Sequence, residues 1–237
     1  MYGSAGWRLG LCLAVILSTI PSLAAGEGAG QSADSALTAL KAGNERYIAH
    51  RLEHPGHTLK RMQEVEEAQH PFAVILGCAD SRVPPEIVFD QGLGDLFVVR
   101  VAGAVPDDEV IGSIEYAVEH LHVQLVVVLG HEKCGAVTAA AAVSEQANHM
   151  SSFLDGLKPF VREAERQPGD LIHNAVCISV DRIAEALRAS EPILENAVLE
   201  NSVRIVGAHY DLHTGKVIWH NMPAPSNAAA PSESASL

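Results

Sequence analysis

Short apolar runs recur along the chain and predict the strands of a buried sheet. The first and third runs each end at a glycine, Gly77 or Gly130, and their β-branched residues are typical of strands covered on both faces. Two late runs flank the turn His213-Thr214-Gly215, which predicts a pair of adjacent strands joined by that turn. The predicted strands cover residues 73–76, 96–101, 125–129, 203–210 and 216–220.

Amphipathic segments lie between these runs and predict helices. Acidic capping residues open segment 107–121, and its apolar residues recur at helical spacing. This helix would connect two strands, and the order strand, helix, strand indicates a parallel sheet. We therefore predict an α/β fold with a mostly parallel central sheet flanked by helices, and we expect the first helix to pack outside the strand core. The predicted helices cover residues 31–48, 107–121, 135–143, 151–165, 170–189 and 192–199.

Both ends of the chain depart from this pattern. Among the first 24 residues only Arg8 is charged, and residues 9–20 form a nearly unbroken apolar stretch that is followed by small residues. These features predict a signal peptide over residues 1–24, because the stretch is shorter than the roughly 20 residues that span a bilayer. Residues 223–237 are rich in Ala, Pro and Ser, which predicts a disordered tail. A single domain, residues 25–222, would be exported, to the periplasm, without a stable membrane anchor.

Composition narrows the class of function. Hydrophobic residues make up 48% of the chain, which is ample for a core. Without residues 1–24 there are 15 basic residues against 29 acidic ones, a net charge of −14, so nucleic-acid binding is disfavoured. Three cysteines then remain, and an odd number in an exported protein argues against a disulfide framework. We interpret one of them, Cys177, as a small buried apolar residue and not as a ligand.

Two groups of metal-type ligands follow the first and third predicted strands. Cys78 opens the run C-A-D-S-R, and His131 and Cys134 form an H-x-x-C motif about fifty residues later. Parallel strands place ligands at their carboxyl ends, and two thiolates with one imidazole are a zinc set that leaves a fourth position open. Asp80 is close enough to bind the metal or to accept a hydrogen bond from water on it. Arg82 is suited to hold that carboxylate in a bidentate pair.

Two alternatives remain at this point. The zinc could be structural, with Asp80 as a closing fourth ligand, although such a site gives Arg82 no role. Cys78 and Cys134 could instead cycle through a disulfide, but this leaves His131 without a purpose. The open catalytic arrangement accounts for all five residues.

The two motifs, C-A-D-S-R and H-E-K-C-G, resemble those of the β-class carbonic anhydrases. Segments 89–100 and 112–118 are also similar, and the resemblance runs from about residue 35 to about residue 219. It implies the fold of that family with an amino-terminal helical arm, and the reversible hydration of carbon dioxide to bicarbonate and a proton. It also implies one Zn²⁺ per subunit, held by Cys78, His131 and Cys134.

Further site residues are implied by the resemblance alone. Asp80 would accept a hydrogen bond from the nucleophile and Arg82 would fix Asp80; in a closed state Asp80 becomes the fourth metal ligand. Four other positions match substrate-binding residues of the family, and core packing is the competing interpretation for the two aromatic ones. They are Gln69, Phe97, Tyr116 and Gly135.

The resemblance also bears on regulation and assembly. Members inhibited by bicarbonate have a Trp, Arg and Tyr pocket, and the corresponding residues here are Ile75, Arg100 and Tyr210. Without the Trp we expect an open site at neutral pH. The family builds its site across a dimer, so a homodimer or tetramer is expected. A related zinc hydrolase acting on COS or CS₂, and a noncatalytic exported zinc-binding protein, are the alternative functions.

Overall fold

The computed structural model describes residues 30–142 and 148–220. The predicted signal peptide and the predicted tail lie outside these described residues. The strands are β1 (Ala73–Cys78), β2 (Leu96–Val101), β3 (Leu125–His131), β4 (Arg204–Tyr210) and β5 (Val217–Trp219). They form one sheet in the order β2-β1-β3-β4-β5, in which the first four strands are parallel and β5 is antiparallel to β4. The predicted fold class and the late strand pair are therefore confirmed.

Helices cover both faces of the sheet, as a parallel sheet requires. The helices are α1 (Ala33–Ile48), α2 (Leu59–Glu64), α3 (Pro85–Val88), α4 (Asp108–Glu119), α5 (Gly135–Ala142), α6 (Ser151–Ala164), α7 (Leu171–Arg188) and α8 (Ile193–Leu199). Alternate residues of a strand face opposite ways, so Val74 and Leu76 pack under α4, α7 and α8, while Ala73 and Ile75 pack under α1 and α3. No helix within the described ranges is long and apolar enough to cross a bilayer.

The expected packing of the first helix was wrong. Its residues Ala36, Leu37 and Leu40 are buried in the same apolar cluster as the strand residues Ile75 and Val127. Helix α1 therefore covers one face of its own sheet, and its apolar stripe belongs to the core of the domain.

A buried amide anchors α1 to the end of the chain. The side-chain amide of Asn44 donates to the carbonyl oxygens of Val88 (3.1 Å) and Gly215 (2.9 Å), and its oxygen accepts from the backbone N–H of Val217 (2.9 Å). Buried polar groups are stable only when they are hydrogen-bonded. These bonds hold α1, α3 and the β4–β5 turn in one arrangement.

Two short helices were not predicted. Helix α2 contains no buried residue, so apolar periodicity gives no sign of it, and its start is marked only by Thr58, whose hydroxyl accepts from the Arg61 N–H at 3.1 Å. Helix α3 begins at Pro85, the second of two adjacent prolines. Proline is well tolerated in the first turn of a helix, where its missing N–H is not needed.

Candidate metal centre

The carboxyl ends of β1 and β3 meet at a switch point of the sheet. The chain leaves β1 toward β2 on one side, whereas β3 lies on the other side, and such reversals open the crevice in which α/β proteins bind ligands. Cys78 is the last residue of β1 and His131 is the last residue of β3. Strand pairing thus positions both side chains before any ligand is present.

A tight turn brings Cys134 to the same place. Lys133 adopts a left-handed conformation with φ of 50°, which is uncommon for a residue with a side chain and is found where the surrounding structure enforces it. The turn places Cys134 directly before α5, as predicted. The first amides of that helix, those of Ala136 and Val137, act on its sulfur and favour the thiolate form.

The three donor atoms converge within a buried space. The Sγ atoms of Cys78 and Cys134 are 4.0 Å apart, and all three ligand atoms lie within 4.8 Å of one another. Two thiolates that share a tetrahedral zinc at about 2.3 Å would lie roughly 3.8 Å apart. The spacing therefore fits a zinc-sized ion with little movement.

The imidazole of His131 presents an unpartnered nitrogen to this space. Its Nδ1 lies 2.9 Å from the carbonyl oxygen of Glu132, to which it donates. Nε2 is therefore left with its lone pair, and among the described residues it is the one buried side-chain nitrogen or oxygen without a hydrogen-bond partner. The ring is only 1% exposed. An orphaned buried acceptor beside two thiols is what a metal ligand requires.

The two thiols have opposite pKa shifts. The hydrogen bond from Cys134, supported by the Gly103 amide, lowers the pKa of Cys78 to about 4 although burial opposes this. The same pairing, together with burial and the charge on Cys78, raises the pKa of Cys134 well above its usual range. Two adjacent thiolates cannot both exist without compensation, and a bound divalent ion supplies it. These residues fit a zinc ion.

Asp80 and Arg82 form a bidentate pair beside the cluster. The Nε and Nη2 atoms of Arg82 donate to the two carboxylate oxygens of Asp80 at 2.9 and 2.7 Å, and the Arg82 backbone N–H donates to Oδ1 at 2.9 Å. The Arg82 hydrogen bonds hold the pKa of the Asp80 carboxyl well below its usual range. Oδ2 lies 3.8 Å from Nε2 of His131. The carboxylate is thus ionised, engaged by Arg82 and directed toward the donors.

Arg100 and Gly103 support this loop, and sequence reasoning had assigned neither of them to the centre. The Arg100 guanidinium donates to the backbone carbonyls of Cys78 and Asp80. The Gly103 N–H donates to Cys78 Sγ at 3.3 Å. Gly103 has φ of 71°, a conformation that glycine adopts at low cost. A glycine just beyond a predicted strand was the available signal.

The expected substrate-binding residues lie in different settings. Phe97 is half-buried and its ring centroid is 6.4 Å from that of Tyr116, which is 46% exposed. Gln69 is exposed in the segment before β1, and Gly135 is exposed at the start of α5 with open space beside it. The structure pairs the two aromatic residues with each other and places Gly135 next to Cys134.

The three positions of the bicarbonate pocket have other partners here. Ile75 is fully buried in the core, and Arg100 binds the backbone carbonyls of the β1 loop. The hydroxyl of Tyr210 lies 3.0 Å from that of Tyr47. Each side chain is therefore used in a contact within the domain.

The interpretation of Cys177 needs correction. Its thiol is only half-buried, and it lies 3.8 Å from Nε2 of His173 and 3.9 Å from Nδ1 of His209. The H-x-x-x-C spacing on a predicted helix was the signal that we overlooked, because residues four apart share one helix face.

Comparison with known proteins identifies similar chains. A family model described as carbonic anhydrase matches residues 73–217. Carbonic anhydrase 2 of Mycobacterium tuberculosis is 42% identical over 188 residues, covering 78% of this chain and 91% of the relative. A carbonic anhydrase of Mycolicibacterium smegmatis is 38% identical over 187 residues, covering 77% and 91%. Among solved structures, the β-carbonic anhydrase CafA of Aspergillus fumigatus superimposes with a TM-score of 0.61 at 28% identity, covering 80% of this chain and 92% of that one.

Proposed function

This chain belongs to the β-class carbonic anhydrase family, and we propose that it hydrates carbon dioxide reversibly at a zinc ion held by Cys78, His131 and Cys134. The observation that carries the proposal is the unpartnered, buried Nε2 of His131 beside two thiols that are 4.0 Å apart. A set of two thiolates and one imidazole leaves a fourth position of a tetrahedral ion open. Zinc in such a site is a Lewis acid that brings the pKa of a water molecule to about 7.

Asp80 orients the nucleophile in this proposal. Because Arg82 occupies both carboxylate oxygens, Asp80 stays ionised, acts only as a hydrogen-bond acceptor and remains outside the donor set. It accepts a hydrogen bond from the water that attacks, so that an oxygen lone pair points at the carbon of CO₂. A carbon–oxygen bond forms, one proton leaves to solvent, and bicarbonate is the product. Asp80 released from Arg82 could reach the metal as a fourth ligand and close the site.

Only one of the expected substrate-binding residues, Gly135, lies next to a donor of the cluster within the chain. The open space beside Gly135 leaves its backbone amide accessible, and we assign it to contact with a CO₂ or bicarbonate oxygen. Phe97 pairs with Val74, at the opposite end of β1 from Cys78, and Gln69 precedes β1. We propose that Phe97 and Tyr116 form an apolar wall and that Gln69 binds substrate as an amide donor, in a site completed across a subunit interface.

The test compares substrates and variants of the full chain. We expect stopped-flow measurements to show CO₂ hydration that rises through about pH 7 and disappears after chelation, and that is absent in Cys134→Ser. COS or CS₂ turnover without CO₂ hydration would favour the sulfur-substrate hydrolases instead. Zinc bound without either activity would favour a noncatalytic zinc-binding protein.

We also propose assembly into a homodimer or tetramer. Several large apolar side chains are exposed on the single chain, which is typical of protein–protein interfaces when they cluster. Three of them line one groove, and their exposed fractions are Leu59 67%, Met62 53% and Leu93 50%. Light scattering of wild type against Met62→Glu tests this, because a charge in an interface should shift the mass toward the monomer.

Export to the periplasm is proposed from residues 1–24 alone. Their composition supports a signal peptide. Amino-terminal sequencing of the protein recovered from a periplasmic fraction should begin at Ala25, whereas an intact amino terminus in the cytoplasmic fraction would exclude export.

A further inference from the structure

A second group of metal-type donors lies on α7 and β4. His173 and Cys177 are four residues apart on α7, so their side chains share one face, and His209 approaches them from β4. Nε2 of His173 lies 3.8 Å from Cys177 Sγ, and Nδ1 of His209 lies 3.9 Å from the same sulfur. These three ligand atoms lie within 4.8 Å of one another. A sulfur and a nitrogen that share a tetrahedral zinc are roughly 3.5 Å apart, so the spacing needs only small adjustments.

Carboxylates contact the Nδ1 atoms of two of the imidazoles, on the side of each ring that faces away from the group. Oε1 of Glu132 lies 3.5 Å from Nδ1 of His173, which leaves Nε2 of that ring directed toward Cys177. Oδ1 of Asp181 lies 2.7 Å from Nδ1 of His220, and Nε2 of His220 lies 2.8 Å from Nδ1 of His209. Metal-ligating histidines characteristically donate their far N–H to a carboxylate, which fixes the tautomer.

The electrostatics of the group suit a cation. Burial, followed by the nearby rings of His220 and His173, lowers the pKa of His209 to about 4, so this imidazole is neutral and able to ligate. The carboxylates of Asp181 and Glu132 lie against His220 and His173 and add negative charge around the group. The His173 side chain is 45% exposed, which gives an ion access from solvent.

We propose that His173, Cys177 and His209, with His220 as a fourth donor, form a second binding site for a divalent transition ion of the zinc class. Imidazole and thiolate donors select such ions over magnesium or calcium, which prefer oxygen. The site is separate from the Cys78 cluster, and Glu132 touches both: its carbonyl accepts from His131, while its carboxylate faces His173. An ion bound there would brace α7 against the β4 and β5 edge of the sheet.

Metal titration of the zinc-loaded full chain tests this site without relying on activity. Equilibrium dialysis against buffered Zn²⁺ should yield a second equivalent in the wild type. His173→Ala and Cys177→Ala should each weaken it by more than about 10-fold, and Asp181→Asn by about 10-fold, since loss of an outer partner costs about 10- to 100-fold in metal affinity. His213→Ala, which removes an exposed histidine of the β4–β5 turn, is the matched control and should bind normally.

A spectroscopic readout identifies the ligand. Co²⁺ added as the second equivalent should produce a thiolate charge-transfer band that Cys177→Ala lacks and His213→Ala retains. Because nearly half of the His173 side chain is exposed, its replacement should leave folding intact, and circular dichroism checks this. The proposal is overturned if the wild type binds a single zinc at saturating concentrations, or if the second equivalent keeps its affinity in both His173→Ala and Cys177→Ala.

Discussion

The Cys78 cluster and the Cys177 cluster offer similar donors in opposite surroundings. The first lies at strand ends, with His131 1% exposed, and the ionised Asp80–Arg82 pair stands beside it. The second lies on a helix face at the sheet edge, with His173 45% exposed and with carboxylates only behind its rings. Donor type alone therefore does not distinguish a catalytic centre from a binding site. The distinguishing feature is the Asp80 carboxylate, a hydrogen-bond acceptor that Arg82 orients beside the donor atoms.

Loss of a ligand from the Cys78 cluster should have the largest effect on activity. We expect His131→Ala to lower CO₂ hydration by more than about 100-fold, because loss of an outer-shell partner alone costs about 10- to 100-fold. Stopped-flow rates and zinc content of the purified protein measure this. The control is His213→Ala, which should keep both. Activity within tenfold of the wild type would remove the catalytic distinction between the clusters.

Zinc binding at the Cys177 cluster should raise the free energy of unfolding. At free zinc 100 times the dissociation constant of the second site, we expect the free energy of unfolding to rise by about 2.7 kcal/mol. Urea unfolding of zinc-loaded wild type, with and without the excess zinc, measures the change. Cys177→Ala should lack this increment; if it keeps the full increment, the stabilisation comes from elsewhere.

The Asp80–Arg82 pair should affect turnover and not metal content. We expect Asp80→Asn to lower kcat by about 10- to 100-fold while one zinc remains at the Cys78 cluster, because an amide no longer forms the ionic pair with Arg82 and can donate where a carboxylate only accepts. Active-site zinc content and kcat, measured on the same sample, separate the two effects. Loss of that zinc together with activity would show that Asp80 is a structural ligand.

The smallest effect should come from the backbone support of Cys78. A Cβ on Gly103 would meet Leu157 Cδ1 at 2.7 Å, and Leu157 is fully buried, so Gly103→Ala should cost about 1–3 kcal/mol of folding free energy. Gly112→Ala in α4 has open space and should stabilise by about 0.5–1 kcal/mol. Thermal unfolding compares the pair. Equal shifts in both would show that the contact with Leu157 does not restrict position 103.

The sheet and the Cys78 cluster could be predicted because short stretches of sequence, apolar runs and the motifs after them, indicate both. Apolar runs at 96–101 and 125–129 coincide with β2 and with most of β3. The burial that we predicted holds for β3, whose strands on both sides and helix-covered faces need continuous apolar residues. It is wrong for β2, an edge strand whose residues are all only partly buried. Cys78 and Cys134 were identified together with His131 because short motifs follow the runs at 73–76 and 125–129. The roles of Asp80 and Arg82 were indicated by their residue types and spacing, and the family resemblance added the substrate-binding positions.

The Cys177 cluster could not be predicted from the sequence because its residues are distant along the chain. His173 and Cys177 share a helix, but His209 joins them only through the packing of α7 beside β4, and Asp181 acts through His220. The packing of α1 was missed for a related reason: an amphipathic stripe predicts that one face is buried, but it does not specify the surface that buries it.

Asn44 has a consequence for how the protein is made. Its amide bonds to Gly215, a residue synthesised 171 positions later, so the hydrogen bonds of this buried side chain cannot be completed until nearly the whole domain has left the ribosome. Contacts this distant slow folding, and domains generally fold as units during synthesis. A nascent chain that stops before Gly215 would leave Asn44 without two of its three partners, and we expect such products to be recognised by chaperones and proteases.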